Sequence, residues 1–225
     1  MSWFFDVLGV YQRVLRRGFE LTVRHWWLGL VAIGYQATVL VLMPLAGPLG
    51  MVGGFLMGFA MAALMSSWLV LVGHVVRAGR TTLADLPGSF VVHMWDLLTF
   101  GFLLWALQYI AGIAFADLSY AAIVFELALL VFLSAVPEEI YLGSEAGAAI
   151  FVASYRFVAA HWIEWLPATG LLLIVTIVAS ALPFPLGIVV GGIAFAFMFI
   201  GRGLLFLELT TSSRRAREYH RRAAG

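Results

Sequence analysis

Charged residues along this chain stand in short blocks, and long apolar runs separate them. The first block, residues 3 to 24, has helical spacing. Phe4, Val7, Leu8, Tyr11, Val14, Leu15, Phe19, Thr22 and Val23 recur every three or four positions, with Asp6, Gln12, Arg13, Arg16, Arg17 and Glu20 between them. That period places the apolar set on one face. A basic amphipathic helix leading into an apolar run is expected to lie in the headgroup plane of a bilayer. From His25 to Val76 there is then no Asp, Glu, Lys or Arg. A spanning helix needs about 20 apolar residues, so this run is long enough for two. Pro44, Gly47 and Pro48 supply the turn, and helices are predicted near Trp27–Met43 and Leu49–Val76.

The same pattern returns twice. A polar link carries Arg77, Arg80, Thr81, Thr82, Asp85 and Pro87, and Thr82-Leu83-Ala84-Asp85 has capping-box spacing. Apolar helices are predicted over Leu97–Ala116 and Leu118–Val136, turning at Ala116-Asp117-Leu118-Ser119. The fourth is expected to continue to about Leu142, kinked rather than ended by Pro137. Residues 144–160 form a third surface segment. Pro183 and Pro185 divide the last run into helices near Leu166–Leu182 and Leu186–Leu209. The predicted fold is an all-α integral membrane protein. Its six transmembrane helices form three hairpins, each preceded by an interfacial segment.

Every apolar run opens on a similar junction: His25-Trp26-Trp27, His93-Met94-Trp95 and His161-Trp162. The histidines (25, 93, 161) are evenly spaced at 68 residues. The spacing reads as a pseudo-threefold internal repeat, with units of about 9–76, 77–144 and 145–212 in a single membrane domain spanning 1–225. Hairpins repeated in one orientation are related by an axis along the membrane normal. Residues 210–225 form a basic tail.

Composition fixes the solvent. The chain is 63% hydrophobic and 11% charged, against about 25% charged in a soluble domain. All thirteen basic residues are Arg. They lie at the N-terminus, in the links after even-numbered helices, at the end of helix six and in the tail, never in the hairpin turns. The positive-inside rule then puts both termini in the cytoplasm, for a multi-pass protein of the bacterial cytoplasmic (inner) membrane. The order of apolar and basic residues at the start is the reverse of a secretory signal, so the chain is expected to be retained. With no Cys, disulfides and thiolate metal sites are excluded. No cofactor and no nucleic acid are implied. The expected partners are membrane lipids, a second copy, or a cytoplasmic or membrane protein.

Few residues offer chemistry. Glu126 is a carboxyl about two turns into helix four. It suits a proton, cation or substrate site, or a protonated group bonded to Gln108, Tyr109 or Gln36. Glu138, Glu139 and Arg202 fall near the cytoplasmic ends of helices four and six, where an ion pair would satisfy them. Gly50, Gly54 and Gly58, and Gly187 and Gly191, have the four-residue spacing of close helix packing. A shift of 68 from Gly58 lands on Glu126, which places that carboxyl on the close-packed face. His25, Trp27, His93, Trp95, His161 and Trp162 suit the headgroup zone, although three converging imidazoles would also suit a metal. Asp96 and Glu164, three residues after their histidines, suit helix starts. No phosphate-binding glycine loop, metalloprotease motif or nucleophile elbow is present.

Glu138-Glu139 and Phe157-x-x-x-His161 resemble fragments of the intramembrane proteases that process prenylated proteins. That family has an Arg where Gly143 stands here, and only His220 follows His161. A second resemblance is broader. Val136-Pro137-Glu138-Glu139, Ala148-Ala149-Ile150-Phe151-Val152-Ala153-Ser154-Tyr155-Arg156 and His161-Trp162 resemble the six-span membrane domain found fused to some glycerophosphodiester phosphodiesterases, and its stand-alone relatives. Tyr11-Gln12-Arg13-Val14-Leu15 and His25-Trp26-Trp27 echo it. The resemblance implies a helical membrane domain without an assigned reaction, and these residues hold no phosphodiesterase domain. Two function classes follow: transport or handling of a small molecule or lipid, and a non-catalytic scaffold or accessory subunit.

Overall fold

The computed structural model describes residues 2–116 and 118–212. Asp117 and Arg214, Arg215, Arg217, Arg221 and Arg222 lie outside the described residues. The described chain is helical and contains no strand. Its α helices are α1 (Ser2–Arg24), α2 (Trp27–Ala46), α3 (Gly50–Ala78), α4 (Leu86–Ser89), α5 (Met94–Ala114), α6 (Ser119–Phe132), α7 (Val136–Leu142), α8 (Ala149–Ala181) and α9 (Leu186–Ser212). Five helical segments are long and apolar enough to cross a membrane, and the first, Trp27–Ala78, runs for 52 residues. These segments make the protein compatible with an all-α, membrane-embedded, polytopic chain.

Proline and glycine set most boundaries. Pro44 lies inside α2 instead of in the turn. Its fixed φ is helical, and near the helix end it removes only one N–H bond. The turn is a short 3₁₀ stretch, Gly47–Leu49. Gly50 follows it at φ +55°, a conformation that disfavours any other residue. Thr82 and Asp85 form the expected capping box, with the Thr82 amide donating to Asp85 Oδ2 at 2.8 Å. Pro137 corrects an expectation. It does not kink one long helix; α6 ends at Phe132 and α7 restarts at Val136 with proline in its first turn. The break is stable because its freed carbonyls are capped. Ser134 Oγ donates to Val131 O at 2.7 Å, and Ser154 Oγ donates to Phe132 O at 2.8 Å.

The chain forms two compact units. One holds the chain to Ile33, Val72–Thr81 and the chain from Gly170; the other holds Gly34–Leu71 and Thr82–Thr169. In the first, α1 packs along α9. Gly18 marks the seam, and Val14 and Leu21, at helical spacing on either side of it, are buried. Gly18 faces Gly201 across the contact, where a Cβ would sit 3.6 Å from Gly201 Cα, at ordinary van der Waals distance. Arg13 donates to Glu208 Oε1 at 2.8 Å along the same contact. Leu8, Leu15, Phe19, Val23 and Trp26 remain exposed on a second side of α1. The expected single apolar face is therefore two: one docks on α9, and the other is open.

In the second unit, the segment after α3 returns along it. Ser66 Oγ donates to Ser89 O at 3.0 Å and accepts the His93 N–H at 2.9 Å. The start of α8 returns along α6 in the same manner, through Ser154 and Phe132. Apolar side chains stay exposed along the other reaches of the helices, among them Val41, Met51, Phe55, Phe102, Ile113, Val124 and Ile177. Patches of this extent need an apolar surrounding, and closed helices are the backbone form such a surrounding accepts.

Candidate functional site

The three histidines occupy one structural position, the joint between a surface segment and an apolar helix. His93 precedes α5 at φ −110°, ψ 8°. His161 breaks the helical path inside α8 at φ −127°, ψ 22°. His25 stands in the turn between α1 and α2. His25 Nδ1 donates to Leu21 O at 2.9 Å, and His161 Nδ1 donates to Phe157 O at 3.1 Å. A carbonyl only accepts, so both rings carry the proton on Nδ1. Each ring thus caps the helix it closes. Beside each joint stands an exposed indole: Trp26 (66%), Trp95 (67%) and Trp162 (56%). In the first junction the exposed ring is Trp26, while Trp27 is half-buried. Among the described residues, no group of three or more His, Asp or Glu side chains could hold a metal ion.

Buried hydroxyls, missed in the sequence, organise the second unit. Ser89 Oγ donates to Leu86 O at 2.7 Å. It therefore accepts from Ser67 Oγ at 2.5 Å, and Ser67 in turn accepts from the Tyr35 hydroxyl at 2.6 Å. The terminal carbonyl fixes the direction of the whole chain of bonds. Ser66, Ser67 and Ser89 are all buried. Ser134 plays a similar part further on, accepting the Trp165 indole N–H at 2.9 Å. A signal was present: Ser66 and Ser134 stand 68 residues apart, at the spacing of the histidines.

The ionisable candidates separate. Glu126 is exposed, not enclosed in a bundle, and Gln108 Nε2 approaches its Oε2 at 3.5 Å. Glu138, Glu139 and Arg202 are buried. Glu138 and Arg202 each have an interaction partner. Gly143 is tight, since a Cβ there would lie 2.5 Å from Glu139 O. The arginine that the protease pattern places at this position has no room. Asp96 does not cap its own helix. Its Oδ1 accepts the Gly147 N–H at 2.9 Å, fixing a turn in which Gly147 has φ +60°.

The glycines also divide. Gly187 and Gly191 pack against α8; a Cβ on Gly187 would lie 2.6 Å from Ala179 O, and one on Gly191 would lie 3.3 Å from Ala179 Cβ. Gly50, Gly54 and Gly58 meet nothing within 4 Å. Gly50 serves the turn, and a Cβ on Gly54 or Gly58 would meet no other helix within 4 Å among the described residues. A further close approach is between α2 and α9, while the tightest glycine is Gly53 in the α2–α3 hairpin, where a Cβ would fall on the Ala46 carbonyl. A Cβ on Gly192 would lie 2.6 Å from Ile33 Cγ1 and 3.1 Å from Gly29 O.

Above that approach, within the first unit, an apolar groove of about 600 Å³ opens between α1, α2 and α9. Phe19, Val23, Trp26, Leu30, Val190 and Ile193 line it, with Ala194 beside them. Its one side-chain hydroxyl, Thr22, donates to Gly18 O at 2.8 Å. Arg17 and Arg24 are exposed on the polar side of α1 and have no partner among the described residues. Compared with protein-family models, curated proteins and solved structures, the chain matches none.

Proposed function

We propose that this is a six-span protein of the bacterial cytoplasmic membrane that handles lipid. In this reading the groove between α1, α2 and α9 receives one acyl chain of an anionic phospholipid. The groove carries the reading. Its lining is apolar, its volume suits a small-molecule site, and it lies at the surface-helix joint where headgroups begin. Lipid tails are as apolar as the groove, so burial alone gives little preference over bulk bilayer. Preference comes from fit and from charge; Arg17 and Arg24, on the side of α1 away from Phe19 and Trp26, give the helix as a whole the positive charge that anionic lipid favours.

Several observations support the wider reading. The 52-residue segment is broken at Gly47–Leu49 into helices of 20 and 29 residues, which supports reading it as two spans. Gly18 and Ser154 stand two repeats apart, and each meets an even-numbered apolar helix, at Gly201 and Phe132, positions about one repeat apart. The resemblance to the membrane domain of some glycerophosphodiester phosphodiesterases fits lipid handling. The second reading, a scaffold, draws on the exposed indoles at the three joints.

Native mass spectrometry from nanodiscs of phosphatidylglycerol and phosphatidylcholine tests the lipid reading. The native chain is expected to retain one phosphatidylglycerol. Ala194→Trp, which fills the groove, is expected to release it. Arg17→Gln with Arg24→Gln is expected to remove the preference for the anionic lipid. A native chain that retains no lipid, or an Ala194→Trp variant that retains as much, overturns the reading in favour of a scaffold.

A further inference from the structure

The exposed pair on α5 and α6 points to an interface. Gln108 stands six residues before the end of α5, and Glu126 seven after the start of α6. At about 1.5 Å per residue, both lie roughly 10 Å from the connecting turn. Their one contact, Gln108 Nε2 to Glu126 Oε2, is 3.5 Å long, at the limit of a hydrogen bond. Gln108 has a second N–H and a carbonyl left over, and Glu126 has a second oxygen. The Tyr109 ring stacks on Trp105, with centroids 5.7 Å apart, and Tyr109 is exposed beside them. The surrounding side chains are apolar and exposed: Phe102 and Trp105 on α5, Ile123 and Leu127 on α6.

Hydrocarbon cannot satisfy these groups, and an ionisable side chain facing lipid is costly. The face must be covered by something that brings both donors and acceptors. The exposed set is complementary to itself: an amide that donates twice and accepts, and a carboxyl that accepts and, when neutral, donates. A two-fold axis beside the pair satisfies each group with residues already present, as an isologous interface does. We propose that the α5–α6 face joins two copies of this chain, with Gln108 of each copy bonded to Glu126 of the other. This rests on α5 and α6 crossing the bilayer and is independent of the groove.

The chain has no native cysteine, so single cysteines report position directly. Ile123→Cys and Leu127→Cys, reconstituted in lipid vesicles and oxidised, are expected to yield disulfide-linked dimers. Ile177→Cys, equally exposed on α8, is expected to yield none. In the Leu127→Cys background, Gln108→Leu with Glu126→Ala is expected to lower the dimer yield at least tenfold, while Glu126→Gln retains it. Monomer at every position overturns the proposal and assigns the face to a different protein. Equal yields at Ile177→Cys and Leu127→Cys, or a wild-type yield from the double substitution, also overturn it. Labelling of Ser119→Cys with a membrane-impermeant maleimide in intact cells reports separately whether the hairpin crosses the membrane.

Discussion

Gly192 and Gly58 look alike in the sequence, each a glycine within an apolar helix, yet they behave oppositely in the fold. A methyl on Gly192 enters Ile33 and the Gly29 carbonyl. Overpacking of this kind costs about 1–3 kcal/mol, so Gly192→Ala is expected to lower the melting temperature in detergent clearly. Gly58 faces open space. There, alanine restores helix propensity worth about 0.5–1 kcal/mol, and Gly58→Ala is expected to melt at or above the native temperature. Matching losses at both positions would contradict this division. The four-residue spacing alone could not separate them, because spacing shows which residues share a face and not what that face meets. Glu126 carries the same lesson. Its depth in helix four was legible, while its exposure depended on which side of α6 other helices cover.

Between elements, the surface segments show what joins them to the spans. α1 has a seam on α9 and an open apolar side next to it, with Arg13, Arg16 and Arg17 on the remaining, polar side. The exposed ion pair between Arg13 and Glu208 contributes about 0–1 kcal/mol at most, so the docking of α1 rests on its apolar seam. Leu21→Ala, within that seam and buried, is expected to destabilise the protein by about 2–4 kcal/mol. Leu15→Ala, on the open side, is expected to change melting in detergent little. Equal effects would show that the two sides are not distinct. The break before Pro137 belongs here too. Proline signalled a disturbance, and the choice between a kink and a full stop depended on hydroxyls from Ser134 and from Ser154, the latter on a different helix.

Across the whole molecule, the arginine distribution gives a direct test of orientation. In intact cells, a membrane-impermeant maleimide is expected to label Ser119→Cys, at the first residue of α6, and to spare Arg80→Cys until the cells are permeabilised. The reverse pattern would put the arginines outside. The apolar runs, their proline and glycine punctuation and the histidine joints were readable along the chain, because the bilayer demands about 20 apolar residues per span whatever the neighbours are. Helices α2, α3, α5 and α9 begin and end near the positions that pattern set, whereas α8 starts at Ala149, within the segment expected to precede the span, and runs on through His161. Which glycines touch, which side of α1 docks, where the buried hydroxyls meet and where a groove opens were not readable. Lipid is as apolar as the protein interior, so hydrophobicity does not distinguish a face buried on another helix from one bathed in acyl chains. Only the packing of one helix on another decides that.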